Sequence, residues 1–242
     1  MTESPAFRRV ILIVAGASAV SAELEDDFHR FGVTLNHDGR QVTRVVARAH
    51  RYPWVTCLEA PAALAALEGV AVARDPTTLF RHADARSHCT HLFELAALAL
   101  AQAARGEGAR RYDVEVSDPR DQVRIACLRQ DGEEVLEWRL LGDLLTAPAA
   151  YAGRDAGAFN SRALAEVEPD LAEHLLILRR VVMTARGRQM DVDLYASAAA
   201  MALPAACYSL QPENAPRARR ILGSHRDWPD RETLFRSAGS DA

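Results

Sequence analysis

The first third of the chain carries short apolar runs, separated by turn residues, that predict β-strands. Residues 8–14 and 18–25 form the two arms of a predicted hairpin around Gly16. Apolar periodicity alone is also compatible with a helix in this stretch, so a helix stays open as an alternative. The flanking turn residues make the hairpin the preferred prediction.

The next segment has a clearer strand pattern. Its alternate residues fall on one face, because side chains reverse at every residue of a strand. This face holds His29, Phe31, Val33, Leu35 and His37. Asp38-Gly39 then predicts a tight turn, and residues 41–50 a returning strand rich in β-branched side chains. Two histidines therefore share an apolar strand face.

Helical spacing appears after Pro53. A short helix is predicted over residues 59–68, closed by Gly69, and a longer one over residues 88–105 with Ser87 as its cap. The apolar stripe of the longer helix comprises Leu92, Leu95, Ala96, Ala99 and Ala103. His88, Cys89 and His91 would then lie in its first turn.

The remaining pattern predicts three strands followed by helices. The strands cover residues 112–116, 123–129 and 134–140. The helices cover residues 159–184, with a break or fresh start at Pro169, then 193–203 and 217–222. The whole predicts an α+β fold, a mainly antiparallel sheet with helices packed on one side. Residues 1–150 would form the core domain with the site, and residues 151–242 a helical C-terminal part packed on it.

Composition narrows the function classes. The 242 residues are 49% hydrophobic and carry a net charge of -4, which suits a globular core and argues against nucleic-acid or membrane-surface partners. All 29 basic residues are arginine, and the chain has no lysine. Schiff-base, pyridoxal phosphate and lysine-dependent phosphoryl chemistry are therefore excluded.

The four cysteines are widely scattered, and we expect them to be reduced thiols of a cytoplasmic protein. The early apolar run over residues 10–20 is too short to span a bilayer, and no secretory leader is expected. A homodimer is the ordinary expectation for the assembly.

His88-Cys89-Thr90-His91 is the densest polar cluster of the sequence. A helix start favours negative charge, which would lower the pKa of the Cys89 thiol. Cys89 could then be a nucleophile with a histidine partner, or His91 a general base, or both could hold a metal. A helix cap beside a buried thiol is the ordinary structural alternative.

His29 must find a partner or border a cavity if its strand face is buried. Arg44 is a candidate inward-facing anion anchor, although exposed strand arginines are commoner. Tyr52, Trp54 and Tyr208 offer aromatic surface for a ligand, or simple packing. The adjacent acids Asp26 and Asp27 are expected in a solvated turn.

Several short motifs follow one another in a characteristic order along the chain. They are His29, a strand hairpin, residues 53–57, a Leu-Glu-Gly element at residues 67–69, and Cys89-Thr90-His91-Leu92. In this order the chain resembles the bacterial domain of unknown function 2889 family, over about residues 8–215. The Cys-Thr-His-Leu tetrapeptide is its strongest mark. His88 stands where the family usually has glycine. The resemblance implies an association with bacterial degradation of aromatic compounds.

The leading functional hypothesis joins this association to the residues. It is a cofactor-independent lyase that removes a hydroxymethyl carbon from a lignin-derived phenolic as formaldehyde. His29 or His91 would be the base, and Arg44 or Tyr52 would stabilise the developing charge. The predicted catalytic residues are His29, His91, Cys89 and Tyr52, and the predicted substrate contacts are Arg44, Cys57, Trp54 and Tyr208.

Two other hypotheses remain open from the sequence. The first is a binding protein in which His29, Cys57, Cys89 and His91 hold zinc or another transition metal. The second is a thiol-dependent hydrolase or acyl transferase that uses Cys89 with a histidine.

Overall fold

The computed structural model describes residues 5–235. A single antiparallel sheet of 8 strands has the order β4-β3-β2-β1-β5-β6-β7-β8. Its strands are β1 (Ala6–Ala15), β2 (Ala19–Asp26), β3 (Arg30–His37), β4 (Val42–Arg51), β5 (Gly108–Ser117), β6 (Val123–Gln130), β7 (Glu133–Leu141) and β8 (Leu144–Ala147). The α+β class with a mainly antiparallel sheet is therefore confirmed.

Four α-helices accompany the sheet in the described part: α1 (Leu79–His82), α2 (Thr90–Arg105), α3 (Ser161–Leu164) and α4 (Pro169–Ala185). Short 3₁₀ helices lie at Val55–Leu58, Ala60–Leu67, Ala85–Ser87, Ala156–Ala158, Arg186–Gln189, Val192–Leu194, Ala198–Met201 and Tyr208–Leu210. None of the helices described here is long and apolar enough to cross a membrane.

The two long helices pack on the same face of the sheet, which we call the front face. Phe7, Arg9 and Ile11 of β1 point to this face and are fully buried. Helix α2 packs on β1, β2 and β3, and α4 packs on β5, β6 and β7. The two helices thus cover opposite halves of the sheet, with the central strand β1 beneath the gap between them.

The seven predicted strands all form, but β3 begins at Arg30, so His29 lies in the turn before this strand and not on its face. The hairpins at Gly16 and Asp38-Gly39 form as the turn residues indicate. Strand β8 was not predicted, because four residues are too few for a period to show. The helix predicted over residues 159–184 is divided, and α4 begins at Pro169.

Four helix predictions were wrong in their bounds or type, and one of them, over residues 59–68, forms a 3₁₀ helix at Ala60–Leu67. Helix α2 begins at Thr90 with Cys89 as its N-cap, so Ser87 is not the cap and His88 lies outside the helix. Residues 193–203 form separate 3₁₀ turns. Residues 217–222 form no helix, because Arg219 and Arg220 make isolated β-bridges with Ser197 and Trp54. Tertiary pairing overrides local helix propensity there.

The C-terminal part contributes to the same core as the sheet. Ile177 and Leu178 of α4 are fully buried in the cluster that also contains Phe7 and Ile11. Residues 236–242 of this predicted part lie outside the described residues. The domain boundary at residue 150 stays a prediction.

Candidate functional site

A cavity of about 750 Å³ lies between α2 and α4. Its lining from α2 includes His91, Glu94 and Leu98, and its lining from α4 follows helical spacing through Leu176, Arg179, Arg180, Met183 and Thr184. His29, Trp54, Cys57 and Tyr208 complete parts of the wall. A volume of this size suits a small organic molecule.

The turn between β2 and β3 positions His29 at this cavity. Asp26 ends β2, and its Oδ1 accepts hydrogen bonds from the backbone N–H of Phe28 and of His29, both at 2.8 Å. Aspartate favours such turns because its side chain binds backbone N–H groups shortly after it. The same Oδ1 lies 3.0 Å from Nδ1 of His29. One carboxylate oxygen therefore fixes both the turn and the imidazole ring.

Arg9 lies directly opposite Asp26 in the β1–β2 register. Its Nε and Nη2 donate to Asp26 Oδ2 at 2.9 and 2.5 Å, and all these groups are buried. Burial by itself would raise the pKa of Asp26, but the charge of Arg9 and the contact with His29 outweigh it and hold this pKa well below its usual value. Asp26 is a carboxylate at neutral pH.

The protonation of His29 follows from this partner. An ionised carboxylate only accepts hydrogen bonds, so Nδ1 of His29 donates and Nε2 keeps a lone pair. Burial, assisted by the charges of Arg9 and Arg51, lowers the pKa of His29 despite the attraction of Asp26. His29 is a neutral imidazole with an available basic nitrogen at neutral pH.

His91 packs on His29, with ring centroids 4.0 Å apart. Burial, followed by repulsion from His29 and Arg9, places the pKa of His91 well below its usual value. Its Nε2 is buried and has no hydrogen-bond partner within residues 5–235. A buried nitrogen without a partner is costly, and such an atom beside a cavity requires an explanation, such as a water molecule or a ligand that it contacts.

Glu94 lies one helical turn beyond His91 on the same face of α2. Its Oε2 accepts a long hydrogen bond of 3.4 Å from Nη1 of Arg9. Burial raises the pKa of Glu94, and the nearby arginines offset this only in part. The cavity therefore contains a neutral base and a carboxyl group that holds its proton to a higher pH than usual.

The structure brings most of the predicted site residues to the cavity. His29, Trp54, Cys57, Cys89, His91 and Tyr208 all line it. Tyr52 is half-buried against the core and does not line the cavity. Arg44 is exposed on β4, so the inward-facing anion anchor predicted there was wrong. Alternation on β4 directs Arg44 away from the core.

Cys89 differs from the prediction in its reactivity. The thiol is buried, and burial together with nearby Cys57 raises its pKa, so the expected lowering by the helix start was wrong. Burial also raises the pKa of Cys57 to about 11, and its Sγ lies 3.3 Å from Oγ of Ser209. Both thiols stay protonated at neutral pH.

The possible metal ligands also differ from the predicted set. Asp26, His29 and His91 offer ligand atoms within 4.8 Å of one another. Cys57 and Cys89 do not join a metal-sized group in the part of the chain that is described. Both oxygens of Asp26 already accept hydrogen bonds from Arg9, His29 and the turn. A metal would therefore compete with a buried guanidinium.

Sequence reasoning missed four residues of the site: Asp26, Glu94, Arg179 and Arg180. Asp26 and Asp27 were expected in solvent, but both are fully buried. The spacing Asp26-x-x-His29 was the available signal for Asp26. The spacing His91-x-x-Glu94 on a helix was the available signal for Glu94. No local signal marked the two arginines, because arginine on a helix is usually solvated.

No protein-family model matches this chain, and no curated protein matches it either. The resemblance to the domain of unknown function 2889 family stays a prediction, and function must be argued from the cavity itself.

Proposed function

We propose that this protein is a carbon–carbon lyase that acts on small phenolic compounds by general-base catalysis, without a cofactor. The observation that carries the proposal is the Asp26–His29 pair at the cavity. A carboxylate that orients a neutral imidazole is the arrangement that general-base chemistry uses. The association with aromatic catabolism comes from the family resemblance.

The proposed reaction removes a hydroxymethyl group as formaldehyde. Nε2 of His29 takes the hydroxyl proton, the adjacent carbon–carbon bond breaks, and formaldehyde leaves. Glu94 protonates the ring carbon that carries the hydroxymethyl group, so the electron pair of the breaking bond passes into the ring and restores its aromatic system. Proton exchange between the imidazolium of His29 and Glu94 restores both groups. R–CH₂OH thus gives R–H and CH₂O without an oxidant.

The walls of the cavity suit this chemistry. Trp54 and Tyr208 supply aromatic surface, and the OH of Tyr208 is held by Glu59 at 3.1 Å. The space is mainly apolar, and the neutral imidazole of His91 and the protonated thiols of Cys57 and Cys89 place no charge in it. His29 therefore stays unprotonated as the base. We place the reaction in the cytoplasm, where the free cysteines stay reduced.

A transition-metal centre is the second candidate function. The observation in its favour is the group of Asp26, His29 and His91, two imidazoles and one carboxylate. The arrangement would need Asp26 to exchange a hydrogen bond for a metal bond. The general-base function uses every contact as it stands.

Elemental analysis of untagged protein, followed by a formaldehyde assay in the presence of a chelator, separates the two. The lyase predicts formaldehyde from a phenolic substrate with a hydroxymethyl side chain, unchanged by the chelator. One equivalent of bound metal, with activity lost on chelation, would contradict it. If His29→Asn released formaldehyde at the same rate as the wild type, this result would contradict the assignment of His29 as the base.

A further inference from the structure

Two adjacent arginines of α4 face the cavity without a carboxylate of their own. Arg179 donates from Nε to the carbonyl oxygen of Gly157 at 3.3 Å. Within residues 5–235, neither Arg179 nor Arg180 forms an ion pair, and the guanidinium of Arg180 makes no hydrogen bond. Both are half-buried and line the cavity. Most other half-buried arginines of the fold have acidic partners, as Arg105 and Arg188 do.

The charges around the cavity do not balance. The charge of Asp26 is matched by Arg9. The charges of Glu94 and Asp155 act on Arg179, and burial favours the neutral form of Glu94. His29 and His91 are uncharged at neutral pH. Arg186, which also lines the cavity, is paired with Asp143 at 2.7 Å. An excess of positive charge therefore remains on the α4 side.

A second observation points to a ligand at the same place. Nε2 of His91, a side chain more than nine-tenths buried, has no partner among the described residues, and the charge of Arg180 acts on this imidazole. Phe31, Trp54 and Phe80 give the cavity an apolar, aromatic wall as well. The cavity thus combines unpaired positive charge with surface suited to an aromatic ring.

We propose that the cavity binds aromatic carboxylates, with the carboxylate on Arg179 and Arg180 and the ring against the apolar wall. This deepens the proposed function, on which its catalytic meaning rests, because it names the substrate as an aromatic acid. Guanidinium groups match the planar carboxylate with paired hydrogen bonds. A carboxylate is fully ionised at neutral pH, whereas a simple phenol with a pKa of about 10 is not.

Direct binding tests the proposal without turnover. Benzoate and its uncharged analogue benzamide are titrated into the protein by calorimetry. We expect benzoate to bind at least about tenfold more tightly than benzamide. Arg180→Gln should lower benzoate affinity by about 10- to 100-fold and leave benzamide unchanged, which also shows that the variant is folded. Arg179→Gln is the second variant.

Arg44→Gln is the matched control, since this arginine is exposed outside the cavity, and its benzoate affinity should equal that of the wild type. Equal affinities for benzoate and benzamide, or no benzoate binding up to about 10 mM, would overturn the proposal. Tighter binding of phenyl phosphate than of benzoate would overturn the carboxylate class.

The two proposals fail separately. Benzoate selectivity that depends on Arg180, with no formaldehyde from any hydroxymethyl phenolic, would leave the anion site standing and remove the lyase. Formaldehyde release from neutral and acidic substrates alike, unaffected by Arg180→Gln, would keep the lyase and remove the anion site.

Discussion

Two buried polar clusters lie on the front face of the same sheet, and they differ in what their atoms contact. In the first, Glu173 of α4 accepts from the hydroxyl of Tyr112 with one oxygen and from Arg105 at 2.9 Å with the other. In the second, Asp26 holds Arg9 and His29. The carboxylates of Glu173 and Asp26 are both fully buried.

The two clusters differ in whether their outermost side chains reach the cavity. Glu173, Tyr112 and Arg105 border no part of the large cavity, and both oxygens of Glu173 have protein partners. The Asp26 cluster ends in His29 and His91, which line the cavity, and Nε2 of His91 is unpaired. Burial and charge alone thus do not identify a site. Unused hydrogen-bonding capacity at a cavity does.

Removing the base is expected to have the largest effect. His29→Asn should lower the rate of formaldehyde release by about 10²- to 10⁴-fold, because the proton acceptor is lost. His50→Asn, an exposed position of β4 outside the cavity, is the matched control and should keep full activity. Equal losses in both variants would argue against a specific role of His29.

The Glu173 cluster should respond in stability instead. Glu173→Ala removes one of the two carboxylates that pair with Arg105, leaving Asp170, and removes the acceptor of the buried Tyr112 hydroxyl. It should lower the free energy of unfolding by about 1–3 kcal/mol. Glu166→Ala, at an exposed position, should change it by less than about 0.5 kcal/mol. Urea denaturation measures both. Full stability with lost activity in Glu173→Ala would reverse the comparison between the clusters.

The pH dependence sharpens the role of His29 further. Because burial lowers its pKa below the usual value of 6.5, the base is unprotonated at neutral pH and becomes protonated only in more acidic solution. The value of kcat/KM should therefore fall about tenfold per pH unit below the pKa of His29, and the loss of the Glu94 proton should cause a second fall on the alkaline side. The absence of an acidic fall would contradict a neutral imidazole base.

The smallest effect is expected from the thiols. Since burial raises the pKa values of Cys57 and Cys89, iodoacetamide at neutral pH should leave both unmodified in the folded protein and alkylate them after denaturation. Cys89→Ala should keep activity within about twofold. Mass spectrometry locates the label. Stoichiometric alkylation of Cys89 with loss of activity would instead support the thiol-dependent hydrolase.

Much of the fold was predictable because its signals are local. Strand alternation and turn residues such as Asp38-Gly39 gave the strands from β1 to β7, and Pro169 marked the start of α4. The segments over residues 193–203 and 217–222 were mistaken for helices, because their conformation depends on β-bridges between distant residues.

The site was predictable only in part. His29 and His91 were singled out by their patterns as candidate bases or metal ligands, but their contact joins residues far apart in the chain. Asp26 was missed because its burial depends on Arg9, which only the β1–β2 register places opposite it. Arg179 and Arg180 become site residues through the packing of α4 beside α2.

The protonation state of His29 shows whether Asp26 holds this imidazole as a base, and measuring it needs no substrate. Nitrogen-15 NMR of the imidazole side chains reports which ring nitrogen carries the proton. At neutral pH we expect a neutral His29 with the proton on Nδ1, facing Asp26, and no proton on Nε2. An imidazolium, or a proton on Nε2, would contradict the claim that Asp26 holds His29 as a base.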